Sequence, residues 1–186
     1  ELFNVPAEEG FTWNMTQSSG AFDQSPAWSP NGKNIAYWSD KSGEYELYLQ
    51  DSEGKKEAKK LTNRKNGFGY TPYWSPDNKK IAFIDETNTV RVIDAETGKA
   101  SEAGNTNWNI GHGSRNGYPI SWSADSKWIA FTEGLDNANS AVFVFNLEEN
   151  EKHQLTSGFY NDEYPVFSTD GKYIFYLTDR SMNAAY

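Results

Sequence analysis

At 186 residues the chain is long enough for one domain, or a small array, with a real buried core. Its 26 acidic residues outnumber 17 Lys and Arg, and the net charge of −9 sets up a field that repels nucleic acid and anionic membrane surfaces. No apolar run approaches the ~18 residues that cross a bilayer, which argues against membrane insertion, and with no cysteine there is neither a disulfide frame nor a thiolate metal site. No charged-then-apolar leader precedes the first residues, so a signal peptide is either absent or outside the chain, and cytoplasm and periplasm both stay open.

Taken in chain order, the first elements are brief. ELFNVP (1–6) and the Met15-Thr16 pair read as two short strands. Next comes PAWSPNGKNIAY from Pro26: an aromatic strand, a tight Ser29-Pro30-Asn31-Gly32 turn, and a second strand that is apolar on both faces (Ile35, Ala36, Tyr37, Trp38). ELYLQD (46–51) follows as a third strand expected to alternate more, and the segment around Lys59 to Thr62 as a polar outer fourth. The dense basic run from Lys55 to Lys65, broken by Glu57, reads as solvated turn charge.

The same sentence is then repeated. PYWSPDNKKIAF starts at Pro72, PISWSADSKWIAF at Pro119 and PVFSTDGKYIFY at Pro165, so Trp28, Trp74, Trp122 and Phe167 recur at spacings of 46, 48 and 45 residues. VRVIDA (90–95) and AVFVFN (141–146) echo the third strand, Leu61-Thr62 and Leu155-Thr156 the fourth, and ASEAG (100–104) is its weak copy. A period of ~40–50 residues filled with strand patterns, and without an amphipathic helical stretch, predicts an all-β fold: a β-propeller of four-stranded antiparallel blades. The blades fall at about 25–63, 71–104 and 118–157, with a half-blade at 1–18 that has only third and fourth strands and a half-blade at 161–180 that has only first and second. The two halves are complementary, with three outcomes open: pairing within one chain into a small four-bladed ring, self-association between chains into a larger one, or open edges in a piece of a longer propeller. In the turns, Gly32 is replaced by Asn78 and then Ser126 before Gly171 restores it, so the third turn is expected to be the most strained or differently shaped.

WSPNGKNIAYWSDKSGEYELYL, with the preceding NMTQSSGAFDQSPAW, resembles the propeller repeat shared by tricorn proteases, TolB proteins and related modules. The later run, from SWSADSKWIAF to FSTDGKYIFYLTDRSMN, is similar to the last blades of the second propeller of tricorn-type proteases, the tail-specific serine peptidases. The resemblance covers nearly the whole chain. It implies a non-catalytic part that channels or docks peptide substrates, the nucleophile lying in C-terminal domains that have no counterpart among these residues. It therefore implies no catalytic residue and no cofactor here, with unfolded peptides or a partner protein as ligands. The alternatives are a TolB-like interaction module and the propeller cap of a prolyl-oligopeptidase-type enzyme.

Read from the residues alone, the chemistry is sparse. His153 sits in HQLT as an exposed outer-strand residue, and His112 lies in the Gly- and Asn-rich loop NTNWNIGHGSRNG (105–117) without the strand-to-helix elbow of a nucleophile. That loop also carries Trp108, a stacking surface, and Arg115, a bidentate carboxylate binder, so Trp108, His112 and Arg115 are the candidate contact residues. Asp40, Asp85-Glu86, Glu133 and Asp179 recur at equivalent strand ends, which fits carboxylates accepting backbone N–H bonds at turns better than a metal site. Trp28, Trp74 and Trp122 share one repeat position and are expected in the blade core.

Overall fold

The computed structural model describes residues 1–64, 67–106 and 117–180. The strands in chain order are β1 (Phe3–Asn4), β2 (Trp13–Asn14), β3 (Asp23–Trp28), β4 (Asn34–Ser39), β5 (Glu46–Asp51), β6 (Lys59–Lys60), β7 (Tyr73–Trp74), β8 (Lys80–Ile84), β9 (Thr89–Asp94), β10 (Ala100–Asn105), β11 (Ser121–Trp122), β12 (Trp128–Gly134), β13 (Ser140–Asn146), β14 (Glu151–Gln154), β15 (Asp162–Phe167) and β16 (Ile174–Thr178). Among the described residues there is no helix. Consecutive strands pair antiparallel into three four-stranded sheets, β3–β6, β7–β10 and β11–β14, while β1 pairs with β2 and β15 with β16 as two-stranded sheets at either end. The architecture is the all-β meander that the repeat predicts.

The sheets stack face to face, and the stacking explains the sequence pattern. One face of the first four-stranded sheet contributes Ala36, Trp38, Leu47 and Leu61 to a core with Ile81, Phe83, Ile93 and Ala95 of the second. The opposite face of the second sheet contributes Ala82, Ile84, Val90, Val92 and Ala103 to a core with Ile129, Phe131, Phe143 and Phe145 of the third. Successive side chains on a strand point to opposite faces, so a sheet covered on both sides needs apolar residues without alternation. β4 is buried from Ile35 to Ser39 and β8 from Ile81 to Ile84. The sequence leads one to expect alternation in the third strands, yet β13 is buried throughout and β5 nearly so, because neighbouring sheets reach over them as well. Each large side chain so enclosed contributes roughly 1.5–3 kcal/mol. ASEAG, the weak fourth-strand copy, belongs to β10, a six-residue strand with a bulge between Glu102 and Gly104.

Four turns join first strands to second strands, and all are built alike. The Ser29 Oγ–Asn31 Oδ1 contact recurs as Ser75–Asp77, Ser123–Asp125 and Ser168–Asp170, at 2.8, 2.6, 2.6 and 2.6 Å. The fourth residue is left-handed each time, with φ of 68° at Gly32, 64° at Asn78, 62° at Ser126 and 71° at Gly171. The third turn is therefore not differently shaped. Its non-glycine residue makes a bond that glycine could not. Ser126 Oγ accepts the N–H of Asp77 (3.0 Å), just as Asn78 Oδ1 accepts the N–H of Asn31 (2.8 Å). A side chain at the left-handed position latches one sheet to the next.

Candidate functional site

The loop residues singled out from the sequence, Trp108, His112 and Arg115, lie outside the described residues, which resume at Gly117. What the structure does bring together is a run of first strands and a rim of carboxylates.

The first strands β3, β7 and β11 face one another from sheet to sheet. Trp74 Nε1 donates to the carbonyl of Ala27, and Trp122 Nε1 to that of Tyr73, both at 3.0 Å. Each indole thus reaches the residue just before the equivalent Trp of the preceding sheet. Phe167 has no indole N–H, and there the backbone N–H of Phe167 donates to Ser121 Oγ at 2.9 Å. Trp74 is 9% exposed and Trp122 half-buried, as a core position requires, but Trp28 is 52% exposed. The difference has a plain cause: the preceding sheet, β1–β2, has no first strand to cover it. The first-strand surface also exposes Pro26, Tyr164 and Val166. Ser25 (φ 51°) and Tyr164 (φ 56°) are left-handed non-glycine residues, each preceding a proline inside a bulge of β3 or β15. A bulge leaves a residue out of the ladder with its backbone groups free for another partner. Tyr164 was missed from the sequence; the available signal was the Ser25-Pro26 and Tyr164-Pro165 dipeptides at one repeat position.

The carboxylates at the strand ends are engaged as latches. Asp40 Oδ1 accepts the N–H of Phe22 (2.8 Å), Glu86 Oε2 that of Phe68 (3.1 Å) and Asp179 Oδ1 that of Asn161 (3.0 Å), each closing the approach to a first strand. Arg64 clamps Glu86 with 2.9 and 2.7 Å bonds and stands 3.5 Å from Asp85. Burial alone would raise the Asp85 carboxyl; bonds from the Thr87 hydroxyl, the Arg91 guanidinium and the Thr89 N–H outweigh it and hold the group below the usual carboxylate range. Glu133 goes the other way. Burial raises it despite the Lys152 ammonium at 2.9 and 2.7 Å from its two oxygens. Glu46, buried and accepting the Arg64 N–H at 2.9 and 3.0 Å, belongs to the same rim but escaped notice because its strand reads as a plain third strand.

His153 lies on β14 at the exposed outer edge, as its pattern predicts, with Nε2 3.8 Å from Glu151 and its ring beside Trp128. It groups with Glu149 and Glu151, all three exposed.

A family model described as the tricorn protease second beta propeller domain matches residues 1–186. The chain belongs to that family. Among solved structures, a tricorn protease shares 19% identity at a TM-score of 0.70 over 82% of this chain and 15% of its own. TolB from Acinetobacter baumannii shares 24% at 0.59 over 88% of this chain and 39% of its own. A structure from a study of two prolyl endopeptidases shares 17% at 0.60 over 88% and 27%. The chain thus spans well under half the length of these relatives, and the likeness is one of fold. None of the curated proteins compared with the chain matches it.

Proposed function

We propose that the chain is the peptide-handling part of a tricorn-type serine peptidase, holding unfolded segments without cutting them. The observation that carries this reading is the first-strand surface, where Tyr164 and Val166 offer apolar contact and two bulges, in β3 and β15, leave backbone groups outside the ladder. An extended peptide is bound by that combination, apolar contact for affinity and main-chain hydrogen bonds for alignment. The membership of the tricorn second-propeller family supports the same reading. The strand-end carboxylates are taken up in latches and ion pairs, so the rim reads as scaffold.

The test is a fluorescence-anisotropy titration of labelled unfolded peptides, with cleavage followed by mass spectrometry. Saturable binding without cleavage, weakened at least tenfold by Tyr164→Ala with Val166→Ala, is the expected result. Binding indifferent to both substitutions, or peptide hydrolysis by the chain itself, overturns it. The TolB likeness favours a second reading, docking of a folded partner on the same surface; competition between folded and unfolded ligands separates the two.

A further inference from the structure

The four turns between first and second strands differ in one chemical respect. Their third residue, which accepts the serine hydroxyl, is aspartate at 77, 125 and 170 but asparagine at 31. The three carboxylates take the hydroxyl at 2.6 Å and the N–H of the lysine two residues on at 3.0–3.1 Å. Asn31 Oδ1 takes the same two donors, Ser29 Oγ at 2.8 Å and the Lys33 N–H at 3.0 Å. The shorter contacts of the aspartates are those of a hydroxyl on a charged acceptor, the longer one that of a neutral amide. The frame around position 31 thus suits a carboxylate and holds an amide.

Asn31 is also the only asparagine among the described residues that precedes a glycine. Gly32 brings no side chain, and nothing lies within 4 Å of where its Cβ would stand. Its backbone nitrogen is therefore unhindered for attack on the Asn31 Cγ. That attack places negative charge on Oδ1, the atom already held by donors at 2.8 and 3.0 Å. A pair of fixed donors at such distances stabilises an oxyanion. One bond has to yield first, that from the Gly32 N–H to the Ser29 carbonyl at 2.8 Å, and it lies in the exposed turn between β3 and β4.

We propose that Asn31 is a site of self-modification, deamidated to aspartate within its own turn, with the Ser29 hydroxyl and the Lys33 N–H as the oxyanion donors. The Gly32 nitrogen bonds to the Asn31 Cγ, the Cγ–Nδ2 bond breaks, and ammonia leaves with the proton that Gly32 gave up. Water then opens the succinimide ring. Addition at Cγ breaks the new Cγ–N bond, returns a proton to the Gly32 nitrogen and leaves a carboxyl on an unaltered main chain. Addition at the main-chain carbonyl gives the isoaspartyl isomer instead, with an extra methylene in the backbone. The two donors polarise the Cγ carbonyl and so favour the first course. Its product matches positions 77, 125 and 170. The isoaspartyl backbone cannot keep the Gly32 N–H on Ser29 and the Lys33 N–H on the side-chain oxygen together. The aspartates show what the converted turn gains. The serine hydroxyl first, and the lysine N–H after it, hold the carboxyls of Asp125 and Asp170 below the usual range, and at Asp77 the same pair outweighs burial.

Held at mildly alkaline pH and mapped by mass spectrometry, the chain should convert Asn31 to aspartate while Asn78, which precedes Lys79, stays an amide. Mapping separates position 31 from the Asn-Gly pairs at 66–67 and 116–117, whose asparagines lie outside the described residues. An Asn31 as inert as Asn78 overturns the proposal. The synthetic peptide PAWSPNGKNIAY has no fixed donors and sets the reference. The folded chain should give an aspartyl-to-isoaspartyl ratio severalfold higher than the peptide, and an equal ratio overturns the part given to the donors. Ser29→Ala, checked for folding by circular dichroism, should slow conversion severalfold and move the ratio toward that of the peptide; an unchanged rate and ratio overturns the role of the hydroxyl. The peptide comparison decides even where that variant fails to fold. Asn31→Asp should melt no lower than the parent at neutral pH. It should lose that parity as the pH falls through the depressed range of its carboxyl, because a lowered proton affinity in the folded state stabilises only above that range. A lower melting temperature at neutral pH overturns the match to the other three turns.

Discussion

β4 and β16 are copies of one strand in two surroundings. NIAYWS is buried from Ile35 to Ser39, while IFYLT is exposed from Phe175 to Thr178. Both are apolar on both faces, both follow the same Ser-x-Asx turn, and both pair with a first strand. The difference lies in what stands beside them: β4 has a third strand at its edge and the second sheet packed on one face, whereas β16 pairs with β15 and exposes Phe175, Tyr176 and Leu177. Burial in a stacked-sheet fold is a property of the neighbourhood, and an apolar run alone does not tell a covered strand from an uncovered one.

The comparison can be broken hardest at Trp38. Its indole is 0% exposed, packs edge-on against Phe83 at 5.0 Å and donates to the Tyr70 carbonyl at 2.8 Å. Trp38→Ala should cost ~3–5 kcal/mol in urea unfolding. Next comes Lys152→Ala, which leaves the Glu133 carboxylate buried without its cation, a loss of ~3 kcal/mol at neutral pH. The sign with pH is fixed by the direction of the shift. The folded-state affinity of Glu133 for a proton is raised, so its charged form opposes folding above the ordinary carboxylate range, and this opposition fades as the pH falls and the group protonates. The gap in melting temperature between Lys152→Ala and the parent should be wider at pH 8 than at pH 5; an equal gap would mean that packing of the Lys152 stem matters more than its charge.

A smaller effect sharpens the first-strand series. Trp74→Phe removes the bond to the Ala27 carbonyl and should cost ~1 kcal/mol, whereas Trp28→Phe should be close to neutral. The smallest is Leu177→Ala, at the position of Trp38. It should change stability by less than ~0.5 kcal/mol in urea unfolding; a loss as large as that of Trp38→Ala would mean that the β16 face is covered in solution.

Much of this was legible in the sequence because the repeat states it four times. The strand types, the turn chemistry and the complementary ends follow from spacing, apolar runs and Ser-Pro-Asn-Gly punctuation. Three things were not. That β5 and β13 would be buried on both faces depends on how far neighbouring sheets reach, which no single strand encodes. The exposure of Trp28 against the burial of Trp74 is invisible at a shared repeat position, since the residues are identical and only their neighbours differ. And the strand-end carboxylates, though correctly read as turn acceptors at Asp40, Glu86 and Asp179, gave no sign that Arg64 would be drawn in beside Asp85 from the end of the preceding sheet, or that Arg91 would reach back to it across the β8–β9 hairpin.

The latch between turns bears on any attempt to regularise the repeat. Averaging the four copies writes glycine at positions 78 and 126, since glycine costs least at φ near 60°. Asn78 and Ser126 are where each sheet is addressed by the one before it, through the N–H groups of Asn31 and Asp77. A consensus chain would improve every turn taken singly and erase the marks by which successive sheets tell one another apart, so that insertion, slippage or swapping of a unit would meet no objection. In this molecule the spelling errors of the repeat carry the page numbers.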